Sequence, residues 1–457
     1  MSINIQKAAT LIECINSFEP EPLRGDDYDN MFCDTHEART GNITDNRILD
    51  LIDSYLTIRS PKHTLLIGHT GCGKSTEMQT FIREMVLKKH LVADISAKEK
   101  LDLRAVTYID LLIMIMIELV QNAASEGIEI DSDVVNNISQ YWNSIITNEK
   151  IKDSSLAGKL ELGVDSELSV FAKFLKFLGS LKMVLKTETL TRNAVKTIIE
   201  PEISEFIENL RYVSQSITEE LKKQSRPPIP IIVVDDLDKL EVDRANELFY
   251  NHGGTLTLLP IHVIYTFPIQ MSYTPQFASL DAYFESVFLP MIKLQNWVKG
   301  TEYEQFLQGP EVIKCIVHKR ANAELFEENA LDHMIKMTGG YLRDLFKAIM
   351  NAARIANRRG SYRIELEDTK VALNKIQSDI TRSLKSEHYK ILQSIFNGDK
   401  RKIDNREELL DLLQSRVILE YNGRRWCDLH PLVEELLISD GVLEKKDDKD
   451  IRDPKKH

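Results

Sequence analysis

The sequence predicts an α/β protein: a parallel sheet with helices on both sides, carrying a helical insertion, an α-helical lid and a C-terminal winged-helix-like unit. Three observations predict it. A short apolar strand, HTLLI, passes through a glycine-rich turn into a helix; a second apolar run, Ile231 to Val234, ends in Asp235-Asp236-Leu237-Asp238; and residues 131–225 have helical spacing and no clear strand signal. Each piece has its own reason.

Residues 1–60 form an approach segment: a turn-rich acidic stretch, then DNRILDLIDSYLTI, whose Ile48, Leu49, Leu51, Ile52 and Leu56 share a helical face. Residues 61–130 and 226–300 form the core, reading β, loop, α, β, α and then returning to strands at PPIPIIVVDDLDKL and LPIHVIYTFPI. Residues 131–225 are the insertion, with helices such as LSVFAKFLKFLGSLKMVL and EISEFIENLRYVSQSITEELKKQ. Residues 301–383 are the lid helices. Residues 384–445 read helix, helix, hairpin around Asn422-Gly423, helix, which is the winged-helix order. The charged tail, 446–457, is expected to be disordered.

The chain of 457 residues, 43 % hydrophobic and 28 % charged, has room for about three domains. With 58 basic and 70 acidic residues its net charge is −12, against a surface that holds nucleic acid non-specifically. The longest apolar run, Leu111 to Ile117, is far short of the ~20 residues that span a bilayer, and the N-terminus lacks a secretion pattern. No transmembrane segment and a cytoplasmic location are expected. Cys14, Cys33, Cys72, Cys315 and Cys427 include no CxxC pair, so neither a disulfide framework nor zinc is expected. They read as reduced thiols.

Gly68-His69-Thr70-Gly71-Cys72-Gly73-Lys74-Ser75 fits G-x-x-x-x-G-K-[ST], a P-loop, in the strand-to-helix setting its mechanism requires. Its glycines let backbone N–H groups turn onto phosphate, Lys74 reaches the β/γ-phosphates and Ser75 offers an oxygen to Mg²⁺. With Thr76 after it, this loop is the expected nucleotide site. The acidic cluster lies at the carboxyl end of a buried strand, where ligands of open α/β sheets bind. Asp235 is the expected Mg²⁺ residue, and Asp236 the group that orients or deprotonates the attacking water.

With the polar-ended strand IHVIYT and the helix GGYLRDL, these motifs make residues 25 to 440 resemble the additional-strand P-loop ATPases: AAA+ proteins and their STAND and KAP relatives. The resemblance implies ATP and Mg²⁺ as ligands, Gly68 to Ser75 as Walker A, Asp235-Asp236 as Walker B, Thr266 as sensor 1 and Arg343 as the sensor-2 arginine. Two departures bear on rate. AAA+ enzymes usually have glutamate where Asp236 stands, and from Asn251 to Gly300 there is no arginine to serve as a trans-acting finger, only Lys293 and Lys299, with Arg320 or Arg244 as substitutes elsewhere. Since a finger is worth ~10³–10⁵ in rate, slow turnover is expected.

The helix REELLDLLQSR carries Glu407, Glu408 and Asp411 against Arg406 and Arg416, leaving Arg424 and Arg425 as wing contacts, so protein contact or intramolecular docking is favoured over DNA. The expected function is a slowly hydrolysing switch ATPase that couples nucleotide state to a protein partner or effector, with self-association. The resemblance adds prokaryotic conflict systems such as anti-phage defence. Three alternatives stand: a DNA-binding initiator or transposition-type ATPase, a KAP-like membrane-surface ATPase using Lys173, Lys176 and Lys182, and a non-catalytic scaffold that keeps bound nucleotide for stability.

Overall fold

The computed structural model describes residues 5–148, 151, 169–299, 302–401, 407–421 and 426–444. Five parallel strands, β1 (His63–Gly68), β2 (Val92–Ser96), β3 (Ile231–Asp235), β4 (His262–Pro268) and β5 (Glu285–Phe288), lie in the order β2-β3-β4-β1-β5. Every residue of β1, β3 and β4 is buried, which is why they read as unbroken apolar runs: helices cover both faces of the sheet. Strand β4 lies between the P-loop strand and the acidic strand, the inserted strand for which the additional-strand ATPases are named. Ser96, the last residue of β2, pairs in register with Asp235. The fold class expected from the sequence is therefore the observed one.

In the approach segment, Asn46 caps the helix Arg47–Thr57 by accepting from the N–H groups of Ile48 and Leu49. Its buried face differs from the expected one. Ile48, Leu51, Ile52 and Tyr55 face the core, while Leu49 and Leu56 are 51 % and 41 % exposed. Tyr55 continues the Leu51–Ile52 stripe, and its hydroxyl meets Thr64 Oγ1 at 2.9 Å on β1.

Helix Tyr108–Ser125 packs on β2 and carries the insertion helices Ser132–Ile146, Val170–Thr187, Thr189–Ile199 and Ile203–Lys223. Counting uninterrupted apolar residues understated this helix: by length and composition its 18 residues could cross a membrane, and 78 % of them are buried inside the protein. Glu118 interrupts the run without breaking the packing, because Lys100 and Lys182 pair with it at 2.7 and 2.6 Å. Helix Val170–Thr187 turns Phe174, Phe177, Leu178 and Leu181 inward among Trp142 and Phe206, so the apolar face an interfacial helix would offer lies within the protein.

The expected boundary at residues 300/301 falls inside a hairpin, β6 (Gln295–Lys299) with β7 (Glu302–Gln305), and the lid helices begin at Gln308–Arg320. Polar residues hide these strands from a hydropathy reading; Trp297 opposite Tyr303 is their main apolar pair. The lid continues through Glu328–Met337, Leu342–Arg358 and Leu366–Thr381. Helices His388–Asn397 and Glu407–Gln414, the hairpin β8 (Ile418–Tyr421) with β9 (Trp426–Leu429) and helix Pro431–Ser439 follow in the expected winged-helix order. The hairpin tip with Arg424 and Arg425, and the tail 446–457, lie outside the described residues.

Cys14, Cys72 and Cys427 are buried; the expectation of reduced thiols fails for Cys33 and Cys315, which form a disulfide with Cα atoms 6.7 Å apart. They are 282 positions apart in sequence, so no spacing rule could pair them. The fold brings the approach segment against the first lid helix, and the bond joins the two.

Candidate nucleotide site

The P-loop takes the backbone that its glycines permit: Gly71 has φ +90° and Gly73 φ +106°, values a side chain would strain. A Cβ on Gly71 would also lie 2.7 Å from Arg343 Nε and from the Tyr341 hydroxyl, so lid and loop are in contact there. Helix Lys74–Leu87 starts directly behind Gly73 and presents its free N–H groups to the turn.

Lys74 is 4 % exposed and donates to Gly68 O at 2.8 Å, His69 O at 2.9 Å and Asp238 Oδ2 at 2.8 Å. Burial alone would lower its pKa; Asp238 outweighs burial and holds the ammonium above its ordinary value. Asp238 also accepts from Thr70 Oγ1 at 2.8 Å. A phosphate that engages Lys74 has to displace this carboxylate.

Ser75 and Asp235, the two residues expected at Mg²⁺, are neighbours, and the Ser75 hydroxyl stabilises the Asp235 carboxylate. Burial, with Asp238 and Asp236 beside it, pushes the Asp235 carboxyl up to about 6. Among the described residues no cluster of three histidine, cysteine or acidic side chains could cage a metal ion. One hydroxyl and one carboxylate suit Mg²⁺, which usually takes one or two protein oxygens and completes its shell with phosphate and water.

Asp236 is 7 % exposed and has φ +71°, a left-handed conformation unusual for aspartate. Its carboxylate accepts from Ser96 Oγ at 2.5 Å and pairs with Lys239. Thr266 lies close to the acidic turn but does not line the cavity: its hydroxyl accepts from the Leu237 N–H at 3.0 Å and so fixes the turn after β3. Arg343 does line the cavity, and it makes no ion pair with a described residue.

The cavity encloses about 940 Å³ between the P-loop, the approach segment and the lid. Of its far wall, sequence reasoning pointed only to the poorly patterned residues around Arg39 as base contacts. Arg39, 2 % exposed, ties the approach segment to the loop by donating to Cys72 O at 2.9 Å, Pro290 O at 2.6 Å and Thr35 Oγ1 at 2.6 Å. Glu77 lies 3.5 Å from Arg39, and Leu23 N–H donates to Thr76 Oγ1 at 3.3 Å. Their only sequence signal is nearness to the motif. Arg320 is 3 % exposed within the chain's own cavity, which removes it as a finger for a neighbour. Lys293 is 1 % exposed and donates to Asn296 Oδ1 at 2.9 Å, so it too faces inward.

His69, the second residue of the loop, connects the site to the winged helix: its Nε2 accepts from the Glu420 N–H on β8 at 2.9 Å. Burial, followed by Lys74 and Arg416, depresses its pKa to about 3, so it is neutral and can accept. Three more contacts frame this one. Tyr341 donates its hydroxyl to Thr70 O, Tyr421 to Gly339 O at 2.7 Å, and Arg416 pairs with Asp344 at 2.8 Å. Arg416, one of the two arginines of the helix read as too acidic for phosphate contact, is thereby engaged inside the protein.

No protein-family model matches the sequence, and no curated protein matches it. Among solved structures, the chain is similar to the Aeropyrum pernix ORC1 protein in complex with DNA, at 14 % identity and TM-score 0.34 over 87 % of this chain and 92 % of that one. It is similar to Cdc6p from Pyrobaculum aerophilum at 12 % identity and TM-score 0.36, covering 94 % and 98 %. For the Thermotoga maritima RuvB Holliday junction branch migration motor the values are 11 % and 0.34, covering 90 % and 99 %. Likeness this distant concerns general architecture; the site stands on its own geometry.

Proposed function

We propose that the protein is an ATP-binding, slowly hydrolysing switch ATPase whose nucleotide state is read by its winged-helix unit. The observation that carries this is the hydrogen bond from Glu420 N–H to His69, which places a winged-helix strand on the loop that would cradle phosphate. The backbone N–H groups of Gly71 to Ser75 bind the phosphates, and Lys74 exchanges Asp238 for them. Mg²⁺ at Ser75 and Asp235 supplies charge neutralisation when bound. Arg343 approaches from the lid. Asp236 orients water once it leaves Ser96 and Lys239, and that prior engagement supports slow turnover. The same proposal includes a protein partner met by the winged helix or the insertion, and a place in anti-phage defence is supported by the resemblance alone.

The test is ATP turnover over a wide range of protein concentration, with Lys74→Ala and Asp236→Asn as controls and hydrogen exchange followed on β8. Slow, concentration-independent turnover that both substitutions abolish, with faster exchange at Glu420 when ATP is added, is the expected result. Turnover per molecule that rises with concentration would replace the switch by sites completed between subunits. An unchanged Glu420 would remove the winged helix as the reader.

A further inference from the structure

Away from the P-loop, the cavity is lined by Ile5, Leu23, Phe32, Ile316 and Phe346, an apolar slot between the approach segment and two lid helices. Glu19, Glu21 and Lys347 line its exposed rim, and two buried charged side chains, Asp27 and Arg320, lie deeper in it. Asp27, 7 % exposed, accepts from the Ile5 N–H at 2.8 Å through Oδ1, and its Oδ2 has no partner among the described residues. Arg320, 3 % exposed, donates to Ser17 O at 2.7 Å through one nitrogen and stacks 4.6 Å from the Phe346 ring centre; its other N–H groups have no hydrogen-bond partner among the described residues. No ion pair joins the two, although each is the other's opposite charge within one slot. The free Asp27 oxygen and the free Arg320 donors open into the cavity, where a ligand can meet them.

Resting on the proposed nucleotide site, we infer that Asp27 and Arg320 select the base: Asp27 accepts a hydrogen bond from the exocyclic amine of adenine and Arg320 donates to a ring nitrogen. An aromatic slot with one free acceptor and free donors fits a purine edge that carries one amino group beside unprotonated ring nitrogens. Guanine fits less well. Its adjacent N1–H and N2–H groups call for two carboxylate oxygens, and Oδ1 of Asp27 is already taken by Ile5. Hypoxanthine fits worst, because its O6 would face the Asp27 carboxylate with no hydrogen between them.

The experiment is equilibrium binding of ATP, ITP, GTP and inorganic tripolyphosphate, each with Mg²⁺, to the full chain and to Asp27→Asn, Arg320→Lys and Lys74→Ala. The wild-type protein is expected to prefer ATP over ITP by about 10- to 100-fold, the usual range for one hydrogen bond involving a charged group in a dry site. Asp27→Asn keeps an oxygen for the Ile5 N–H and gains an amide N–H that can meet O6, so the ATP/ITP ratio falls to within about threefold of one. Arg320→Lys keeps the charge and the reach to Ser17, and weakens ATP while leaving tripolyphosphate unchanged. Equal wild-type affinity for ATP and ITP, or a ratio unmoved by Asp27→Asn, overturns the base assignment. If tripolyphosphate and ATP still bind through Lys74 in that case, the phosphate site survives and only the base reading fails; if neither binds the wild-type protein, both fail.

Discussion

The insertion and the winged helix are both attached to the α/β core by apolar packing and polar contacts, and they differ in what reaches the P-loop: of the two, only the winged helix places a hydrogen bond on it among the described residues. The insertion meets the core by packing helices Val170–Thr187, Thr189–Ile199 and Ile203–Lys223 on the apolar helix Tyr108–Ser125, with Phe177, Trp142 and Phe206 almost fully buried among one another. The winged helix meets the P-loop through one directional polar contact, Glu420 N–H on His69, and the lid through Tyr421 on Gly339 O and Arg416 on Asp344. Apolar burial is non-directional and tolerates small shifts of the partner, whereas a hydrogen bond fails within about an ångström of displacement. A phosphate that moves the loop by that much would release the winged helix and leave the insertion in place.

The largest effect should come from the apolar attachment. Phe177→Ala removes a fully buried ring and is expected to cost about 3–5 kcal/mol in denaturant unfolding, with ATP turnover per folded molecule unchanged. A fall in turnover larger than the fall in folded fraction would break the distinction, because the insertion would then be coupled to the site.

Next is Asp344, 1 % exposed on the lid helix Leu342–Arg358, with Arg416 at 2.8 Å and His430 Nε2 at 3.6 Å. Burial would raise its pKa, and His430 and Arg416 together hold the carboxyl below its ordinary value. Asp344→Asn should cost about 2 kcal/mol, less than a fully buried pair because Arg416 is partly exposed. That loss should be localised: hydrogen exchange should speed up across 407–444 and stay unchanged across 169–223. Uniform acceleration would mean that the two attachments are one cooperative unit.

The P-loop was legible in the sequence because its chemistry is local: two left-handed glycines, a lysine and a serine must sit at fixed neighbouring positions. The same holds for β1, β3 and β4, whose burial on both faces demands apolar runs. The base side of the cavity was not legible. Leu23, Asp27, Arg320 and Phe346 come from segments about 300 positions apart, and no periodicity links them. Cys33 and Cys315 escaped for the same reason. Asp238 was visible in the acidic cluster, but its contact with Lys74 depends on how the turn after β3 folds, which Thr266 fixes from another strand.

Acid separates the attachments further. His69 is neutral in the fold with its pKa depressed to about 3, so its contribution is complete above the ordinary value of 6.5 and is lost as pH falls from there toward 3. Each pH unit below 6.5 should cost about 1.4 kcal/mol at this residue, and protonation of Nε2 removes the acceptor for Glu420. His63, lowered to about 4, and His262, lowered to about 3, add a similar global loss through burial in the sheet. His69→Gln should therefore lower the global acid slope by the share of His69, keep the share of His63 and His262, and flatten the part reported by exchange at β8. An unaltered β8 profile would take His69 out of the docking contact.

The smallest effect is expected where the insertion has an ion pair of its own. Lys182 lies 2.6 Å from Glu118 Oε1 but is one-third exposed, and Lys100 holds the other carboxylate oxygen at 2.7 Å. Losing one of two partners leaves Glu118 neutralised, so Lys182→Met should change stability by about 0.5 kcal/mol or less. The methionine keeps the apolar stem on the helix surface, where it covers the same neighbours. Lys182→Met should also leave exchange at β8 and ATP turnover at wild-type values, since no polar contact runs from Glu118 to the P-loop among the described residues. A shift in either readout from so slight a change would show that the charge on the insertion is sensed at the site, and the apolar attachment would then be part of the switch.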